Sequence, residues 1–264
     1  MSYVAGEAGN IFYEESGEGR PIVFVHGWAA NHTFWEPQIT SLCDEFRTIA
    51  IDLRGHGRSD KPSKGYAFDD HCKDLKRLME ELKVEDATLM GWSTGGGIAT
   101  KYAATIKDHI IQLGLVGPTS PRFVSNPDYI HGVPLEAVRA MIDEELRDRP
   151  ASRRRAAEWT FHKLPSMQML DWVWMNLMQT PGFVGIKLLE ELIREDLTDL
   201  LSEIEVPTGI FQGRHDEFTP PGGADFMAER IKDCEVIMFE ALGHAVHLED
   251  PIFFNKMLRR FLEI

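Results

Sequence analysis

Short apolar runs alternate with helical patterns along most of the chain. Runs typical of buried strands occupy 22–25, 46–51, 87–90, 110–116, 206–211 and 236–239, after two short opening strands around Val4 and at 11–13. Apolar residues spaced as on one helix face occupy 34–42, 68–82, 95–106, 223–231 and 253–262. Strands alternating with helices in this way predict an α/β fold, with a mostly parallel central sheet and helices on both faces.

The stretch 120–202 breaks this alternation. It has no strand-like run, and its prolines stand at 121, 127, 134, 150, 165 and 181. Between the prolines, apolar residues recur at helical spacing, as in Val138, Met141 and Ile142. We therefore predict a core made of residues 1–119 and 203–264, with a helical cap of residues 120–202 inserted after the run at 110–116.

The sequence Gly-Trp-Ser-Thr-Gly at 91–95 joins an apolar run to a helical pattern rich in small residues. This context is typical of a nucleophile elbow, where a serine projects from a strained strand-to-helix turn and flanking glycines allow close backbone approach. The pattern makes Ser93 a candidate nucleophile. A structural turn rich in glycine and serine would read the same, so the interpretation depends on partner residues elsewhere.

Suitable partners follow in the chain. Asp216 lies just beyond the run at 206–211, and His244 lies just beyond the run at 236–239. Carboxyl ends of parallel strands share one edge of a sheet, so both residues should lie near Ser93. The order serine, acid, histidine predicts a catalytic triad of Ser93, Asp216 and His244, with Glu217 as the alternative acid if the loop is turned by one residue.

An oxyanion hole needs two backbone N–H donors, one after the nucleophile and one from the loop after an earlier strand. Thr94 holds the first position. The segment His26-Gly27-Trp28 follows the buried run at 22–25, which makes Trp28 the second donor. We interpret His26 as a structural histidine that holds this loop, in preference to a catalytic role.

Tryptophan and methionine residues could line an apolar, adaptable substrate pocket. Trp28 and Trp92 flank the predicted oxyanion donors, and the cap contributes Trp159, Trp172 and Met175. The alternative for any cap residue is a place between cap helices, because such residues are more often core than pocket.

Several motifs together resemble the α/β-hydrolase superfamily over nearly the whole chain. They are His26-Gly27-Trp28, the loop 52–59, Gly91-Trp-Ser-Thr-Gly95, Gly213-Arg-His-Asp216 with Pro220, and Gly243-His244 with Glu249 and Pro251. Within it, the chain is similar to cofactor-free haloperoxidases and carboxylesterases, and to pimeloyl-acyl-carrier-protein methyl ester esterases. The dehalogenases and epoxide hydrolases of this fold have an aspartate in place of Ser93, which disfavours both activities.

The resemblance implies a cofactor-free serine hydrolase that cleaves a carboxylic ester of small or medium acyl chain through an acyl-enzyme. Alternatives are hydrolysis of a pimeloyl-carrier methyl ester, or a perhydrolase side activity in which peroxide replaces water. Some proteins of this fold keep the triad but act as ligand receptors with vestigial hydrolysis, and that alternative also stays open.

A cluster of arginines stands out in the cap of this acidic chain. Its members are Arg147, Arg149, Arg153, Arg154 and Arg155. One interpretation is a docking surface for an acidic acyl-carrier protein, which the resemblance favours. The other is a solvated helix face, on which the arginines pair at i,i+4 spacing with the nearby acids Asp143, Glu144, Glu145 and Glu158.

Composition narrows the choice of partners and compartment. The net charge of −14 argues against nucleic acid and anionic membranes as partners. Three cysteines without paired spacing, and an amino terminus without a signal-peptide core, predict a cytoplasmic protein. The histidines are scattered without ligand-like pairing, so we expect neither metal nor other cofactor.

Overall fold

The computed structural model describes residues 2–263. Within that range eight strands form one sheet in the order β1-β2-β4-β3-β5-β6-β7-β8. The strands are β1 (Tyr3–Gly6), β2 (Gly9–Ser16), β3 (Pro21–Val25), β4 (Arg47–Ile51), β5 (Ala87–Trp92), β6 (Ile110–Val116), β7 (Thr208–Gly213) and β8 (Cys234–Phe239).

Helices fill most of the connections between strands. They are α1 (Glu36–Leu42), α2 (Phe68–Glu81), α3 (Thr94–Thr105), α4 (Leu135–Arg147), α5 (Arg149–Trp159), α6 (Met167–Leu177), α7 (Gly182–Arg194), α8 (Gly222–Ala228), α9 (Val246–Glu249) and α10 (Pro251–Leu262). Short 3-10 turns occupy His32–Trp35 and Thr198–Glu203. None of the helices within residues 2–263 has the length and apolar content needed to cross a membrane.

The predicted mostly parallel sheet is confirmed. Strands β3 to β8 pair in parallel, whereas β2 pairs antiparallel with both β1 and β4. Every residue of β3, β5 and β7 is buried. Parallel strands covered on both faces need this continuous apolar character, which is why the sequence shows runs there and not alternation.

Two apolar cores lie on opposite faces of the sheet. Successive residues of β3 divide between them, with Val23 and Val25 in one core and Ile22 and Phe24 in the other. Helices α2, α3 and α8 cover the first face, and α1 and α10 cover the second. The sheet is thus covered by helices on both faces, as the sequence predicts.

The stretch between β6 and β7 folds mainly as helices. Helix α4 packs on both α5 and α7, and α5 packs on α6. The only β pairings within 120–202 are isolated bridges between Val124 and Val133 and between Asn126 and Tyr129. The helical content agrees with the predicted insertion, while the boundaries at 120 and 202 and the role as a cap stay predictions.

Candidate active site

Ser93 stands between β5 and α3 in a strained backbone conformation. Its φ is 55° and its ψ is −120°, a region that costs a residue with a side chain on the order of 1–3 kcal/mol. The residue is only 8% exposed and lines a cavity. Such strain persists only where surrounding structure enforces it, so an observed outlier of this kind points to a functional role.

The flanking glycines explain how the turn is accommodated. A Cβ at Gly91 would lie 2.4 Å from the carbonyl oxygen of Gly95. A Cβ at Gly95 would lie 2.4 Å from the carbonyl oxygens of Val25 and His26. Both separations are far below van der Waals contact, so any larger residue at either position would force the backbone of the turn apart.

Asp216 and His244 lie in contact at the carboxyl ends of β7 and β8. His244 Nδ1 lies 2.8 Å from Asp216 Oδ2, and both side chains are buried. Gly117 allows this approach, because a Cβ there would lie 2.8 Å from the same carboxylate oxygen. His244 also lines the cavity that contains Ser93. The fold thus brings together all three residues of the predicted triad.

The Asp216 carboxylate is fixed by a set of donors that sequence reasoning missed. Asp216 Oδ1 accepts hydrogen bonds from the backbone amides of Phe218 and Thr219, at 2.9 and 2.8 Å. Asp216 Oδ2 accepts from Thr219 Oγ1 at 2.7 Å and from Gln212 Nε2 at 3.2 Å. The Asp-x-x-Thr spacing, which is typical of side-chain turns, is the signal that could have identified Thr219.

Glu217 and His215, the neighbours of Asp216, take no part in the contact between Asp216 and His244. Glu217 is exposed and borders an outer cavity. The His215 ring stacks on that of His162 from the helical insertion, with centroids 3.8 Å apart. The structure therefore pairs His244 with Asp216 and leaves Glu217 away from the imidazole.

The predicted oxyanion donors border the same cavity. Trp28 and Thr94 both line it beside Ser93. Neither backbone amide donates a hydrogen bond to another protein group within the described residues. Gly27 permits the close approach of this loop, because a Cβ there would lie 2.9 Å from Ser93 Cβ. Two amides near the predicted nucleophile are thus available to a ligand oxygen.

His26 has a structural place, in line with the preferred interpretation. Its Nε2 accepts a hydrogen bond from the backbone amide of Leu53 at 3.0 Å, and its Nδ1 lies 2.8 Å from the carbonyl oxygen of Gly27. Complete burial lowers the pKa of His26 to about 4. A neutral imidazole with both nitrogens engaged ties the loop after β3 to the loop after β4.

The cavity above Ser93 is small and mostly apolar, with a volume of about 40 Å³. Core residues and insertion residues share its walls. The lining residues are Trp28, Trp92, Ser93, Thr94, Thr119, Phe123, Met141, Ala156, Thr160, Leu177, Leu189, Leu192, Phe218 and His244. Trp92 is anchored there by a hydrogen bond from its Nε1 to the carbonyl oxygen of His244 at 3.2 Å.

A larger outer cavity of about 490 Å³ adjoins this inner one. Phe123, Met141 and Phe218 line both. Trp159 lines the outer cavity only, with its ring edge against Phe218 at a centroid distance of 5.8 Å. The structure therefore divides the expected pocket into two parts and places Trp159 in the outer one.

The expected pocket roles of Trp172 and Met175 need correction. Helix α6 buries Leu170, Val173 and Leu177, and Leu177 is its contribution to the inner cavity. Residues 172 and 175 lie on other faces of a helix with 3.6 residues per turn. Trp172 packs on Phe34 and borders a separate surface groove, while Met175 is 57% exposed.

The expected arginine surface is also wrong in part, because Arg153 is completely buried. Its guanidinium hydrogen-bonds to both carboxylate oxygens of Glu145 and to the carbonyl oxygen of Leu177. Arg149 is half-buried and donates to the carbonyl oxygens of Met178 and Thr180. Neither side chain can form an external docking surface, since both hold insertion helices together.

The other three arginines stay accessible. Arg154 pairs with Asp171 and Glu158, the latter at i,i+4 spacing, and Arg155 pairs with Glu144. Arg147 is exposed and, like Arg155, borders the outer cavity. The solvated-face interpretation thus describes both Arg154 and Arg155, which form ion pairs, while Arg147 and Arg155 border the outer cavity.

Glu249 links the helical insertion to the loop of His244. Its carboxylate accepts hydrogen bonds from the backbone amide of Gly243 at 2.7 Å and from those of His162 and Lys163 at 3.1 Å. The amide of Ala245 also donates to the carbonyl oxygen of Thr160 at 3.0 Å. The sequence showed Glu249 only as part of a family motif, without a role.

The cysteines and other potential metal ligands are dispersed. Cys43, Cys72 and Cys234 are all free. Burial raises the pKa of the Cys234 thiol to about 12 and that of Cys72 further, so neither is a reactive thiolate at neutral pH. Across residues 2–263, no group of three or more His, Cys, Asp or Glu side chains is arranged to hold a metal ion.

Comparison with known proteins adds a second line of information. A family model described as the alpha/beta hydrolase fold matches residues 20–251. The AB hydrolase superfamily protein YisY of Bacillus subtilis is 34% identical over 95% of this chain and 94% of its own. The non-heme chloroperoxidase CPO-A1 of Kitasatospora aureofaciens is 30% identical over 96% of this chain and 95% of its own.

Two further relatives bear on the reaction. A pimeloyl-[acyl-carrier protein] methyl ester esterase of Nitrosomonas europaea is 28% identical over 92% of this chain and 95% of its own. Among solved structures, an esterase from Exiguobacterium antarcticum superposes with a TM-score of 0.97 at 31% identity, covering 100% of this chain and 99% of that one.

Proposed function

Because the chain belongs to the α/β hydrolase fold family, we propose that it is a serine hydrolase that cleaves carboxylic esters through an acyl-enzyme intermediate. One observation carries the proposal. Ser93, on a strained strand-to-helix turn, lines the same cavity as His244, which is itself paired with Asp216 at 2.8 Å. An activated serine needs this combination of nucleophile, base and orienting acid.

In the first step, Ser93 Oγ attacks the ester carbonyl carbon while His244 Nε2 accepts its proton. Asp216 fixes the tautomer with hydrogen on Nδ1 and stabilises the imidazolium that forms. The backbone N–H groups of Trp28 and Thr94 bind the negative oxygen of the tetrahedral intermediate. His244 then donates its proton to the leaving alcohol, and the acyl group stays on Ser93.

The second step reverses these roles with water. His244 removes a proton from a water molecule that attacks the acyl-enzyme carbonyl, and the same two amides stabilise the second oxyanion. Collapse of this intermediate returns the proton to Ser93 and releases the carboxylic acid. No cofactor is required, because both steps use only proton transfers and the serine oxygen.

The two cavities support a particular kind of ester. Phe218 packs on His244 with ring centroids 5.1 Å apart and lines both cavities. We place the leaving alcohol on the side of the outer cavity, because its volume of about 490 Å³ has room for a large group and Phe218 lies between it and His244. The acyl group then occupies the inner cavity of about 40 Å³, so we propose esters of compact acyl groups with larger apolar alcohols.

Two isomeric substrates test this orientation. Heptyl acetate and methyl octanoate have the same molecular formula but place the long chain on opposite sides of the ester bond. We expect kcat/KM to be at least about 10-fold higher for heptyl acetate, since extra methylenes in a filled pocket cost about 1–3 kcal/mol. Repeated turnover would exclude a receptor with vestigial hydrolysis, and preference for methyl octanoate would reverse the proposed orientation.

The nucleophile is tested separately by Ser93→Ala. We expect hydrolysis of p-nitrophenyl acetate to fall by a factor on the order of 10⁶, with the melting temperature within a few degrees of the wild type. Activity above a few per cent of the wild type would place the nucleophile elsewhere.

Hydrolysis of carrier-linked methyl esters is a second candidate, since two relatives are named for that reaction. Arg147 and Arg155 favour it, because both border the outer cavity through which a tethered acyl chain would enter. This substrate requires the opposite orientation of the ester, with methanol on the side of the inner cavity. If an acidic carrier docks there, Arg147→Ala/Arg155→Ala should raise KM for a carrier-linked ester far more than for a free ester. That difference should shrink toward about 0.5 M salt.

Two further properties belong to the proposal. The relatives named chloroperoxidase support perhydrolysis as a side reaction, in which hydrogen peroxide replaces water against the acyl-enzyme and yields a peracid. Halide oxidation that requires both a carboxylic acid and peroxide, and that Ser93→Ala abolishes, would test it. The three free cysteines support the cytoplasm as the compartment.

A further inference from the structure

The indole of Trp28, whose backbone amide is a proposed oxyanion donor, is held by the helical insertion. Trp28 Nε1 donates to the carbonyl oxygen of Gly185 in α7 at 2.8 Å. The guanidinium carbon of Arg153 in α5 lies 4.3 Å from the ring centroid, within cation–π distance. A Cβ at Gly185 would lie 2.4 Å from Arg153 Nη2, so this glycine makes room for the cation.

Arg153 carries its full positive charge inside the protein. Its Nε lies 3.0 Å from each oxygen of Glu145 in α4, its Nη2 lies 2.5 Å from one of them, and its Nη1 donates to the carbonyl oxygen of Leu177 at 2.9 Å. Burial lowers the pKa of Arg153 while Glu145 opposes that effect, and a guanidinium stays charged at neutral pH. A buried ion pair of this kind contributes little net stability compared with apolar residues of the same volume. Its presence therefore favours a role in fixing geometry.

The backbone beside Trp28 needs such support. Ala29 has a φ of 58°, in the left-handed region that costs a non-glycine residue about 1–2 kcal/mol. The hydroxyl of Thr180, between α6 and α7, donates to the carbonyl oxygen of Ala29 at 3.1 Å. Contacts from the insertion thus act on both the ring of Trp28 and the strained residue that follows it.

We infer that Arg153 is a positioning residue for the oxyanion hole. Held by Glu145 and Leu177, it fixes the indole of Trp28 and thereby aims the Trp28 backbone N–H at the developing oxyanion. The inference rests on the proposed function. The hydrogen bond from the Trp28 N–H to the substrate oxygen strengthens as negative charge develops in the transition state. A misdirected N–H should therefore lower kcat more than it raises KM. A misplacement of about 1 Å can cost about 100-fold in rate.

The double variant Glu145→Met/Arg153→Met tests the inference, because it removes both charges and leaves neither one unpaired. We expect a melting temperature near or above that of the wild type, and a kcat for p-nitrophenyl acetate lower by about 10- to 100-fold. Inhibition by phenylboronic acid, whose tetrahedral serine adduct places an oxygen in the oxyanion hole, should weaken more than KM rises. The control is Arg154→Met/Asp171→Asn, which removes a partly exposed ion pair from the same insertion and should change neither.

Each outcome decides the question. Wild-type kcat and wild-type boronate affinity in a folded double variant would overturn the inference. So would a fall in melting temperature with KM and boronate inhibition changed by the same factor, since that result describes a purely structural pair. If the double variant does not fold, Trp28→Leu decides, because it removes the ring through which Arg153 is proposed to act and leaves the Arg153–Glu145 ion pair intact. We then expect kcat and boronate affinity to fall several-fold more than KM rises, and an unchanged kcat would overturn the inference. A wild-type protein that neither turns over esters nor binds the boronate would contradict the proposed function instead.

Discussion

The hydrogen-bond donors around Asp216 require a carboxylate at this position. Four donors converge on its carboxylate, from Gln212, Phe218 and Thr219, and the remaining contact is with His244. A carboxylate accepts at every position, whereas an amide must donate from one side. The site therefore distinguishes Asp from Asn far more sharply than their equal size suggests.

Asp216→Asn should lower kcat by about 10⁴, because the amide would donate to His244 Nδ1 and select the wrong tautomer. Melting temperature and kcat for p-nitrophenyl acetate measure the fold and the chemistry separately. Glu217→Gln is the matched control on the adjacent residue and should stay within about twofold of wild type. Reversed results for the two variants would transfer the role of the acid to Glu217.

At the scale of elements, the loop after β8 and the start of α9 form one unit with the helical insertion. Glu249 ends α9, and its carboxylate collects amides from both sides of the contact, those of Gly243, His162 and Lys163. Because the same loop carries His244, we expect a shift of the insertion to move the predicted base as well.

Glu249→Gln should weaken this contact, since one oxygen is replaced by an amide that faces N–H donors. We expect the free energy of unfolding in urea to fall by about 1–3 kcal/mol, with a lower kcat as the His244 loop loosens. Glu240→Gln, a substitution in an exposed ion pair with Arg214, is the control and should change stability by less than about 0.5 kcal/mol. Equal effects of the two variants would show that Glu249 does not couple the elements.

The strands and helices could be predicted from the sequence more completely than the contacts between helices of the insertion. Runs and periodicity predicted the strands and most helices, because burial on both faces leaves a clear apolar signature. The orientation of the helices in the insertion could not be predicted in the same way. A 3.6-residue period assigns the residues of α6 to different sides of the helix, but it does not show which side meets the cavity, and so Trp172 and Met175 were placed wrongly. Sequence spacing suggests Glu145 as an ion-pair partner on a solvated helix face, but it does not show that Glu145 and Arg153 stand on two helices whose packing buries the pair.

For the molecule as a whole, the resemblance to the α/β-hydrolase superfamily is confirmed by the family model and by relatives from both similar groups. Four histidines, His26, His56, His71 and His247, are completely buried in this fold. Burial lowers the pKa of His26 to about 4 and that of His71 to about 3, and it lowers the pKa values of His56 and His247 well below 6.5. These rings stay neutral in the folded protein while the unfolded chain takes up protons below about pH 6.5.

Stability should therefore be complete above about pH 6.5 and decline as the pH falls toward about 4. From about pH 7.5 to about pH 5.5, each of the four histidines should lower the free energy of unfolding by about 1.4 kcal/mol. Urea unfolding at both pH values measures the decline, and His71→Leu should reduce it by about the share of one histidine. An unchanged decline in this variant would assign the acid sensitivity to other groups.

The placement of the site in the fold also gives a way to follow how the protein assembles. The predicted oxyanion loop follows β3, the predicted nucleophile follows β5, and the predicted acid and base follow β7 and β8. If the proposed roles hold, a chain in which any of these strands is unpaired would lack a catalytic group, even when most of its helices had already formed. During refolding from urea, the return of ester turnover would then report closure of the sheet from β3 to β8, while the helical signal in circular dichroism could return earlier. The delay between the return of the circular dichroism signal and the return of ester turnover would measure how long the last strand takes to pair with the sheet.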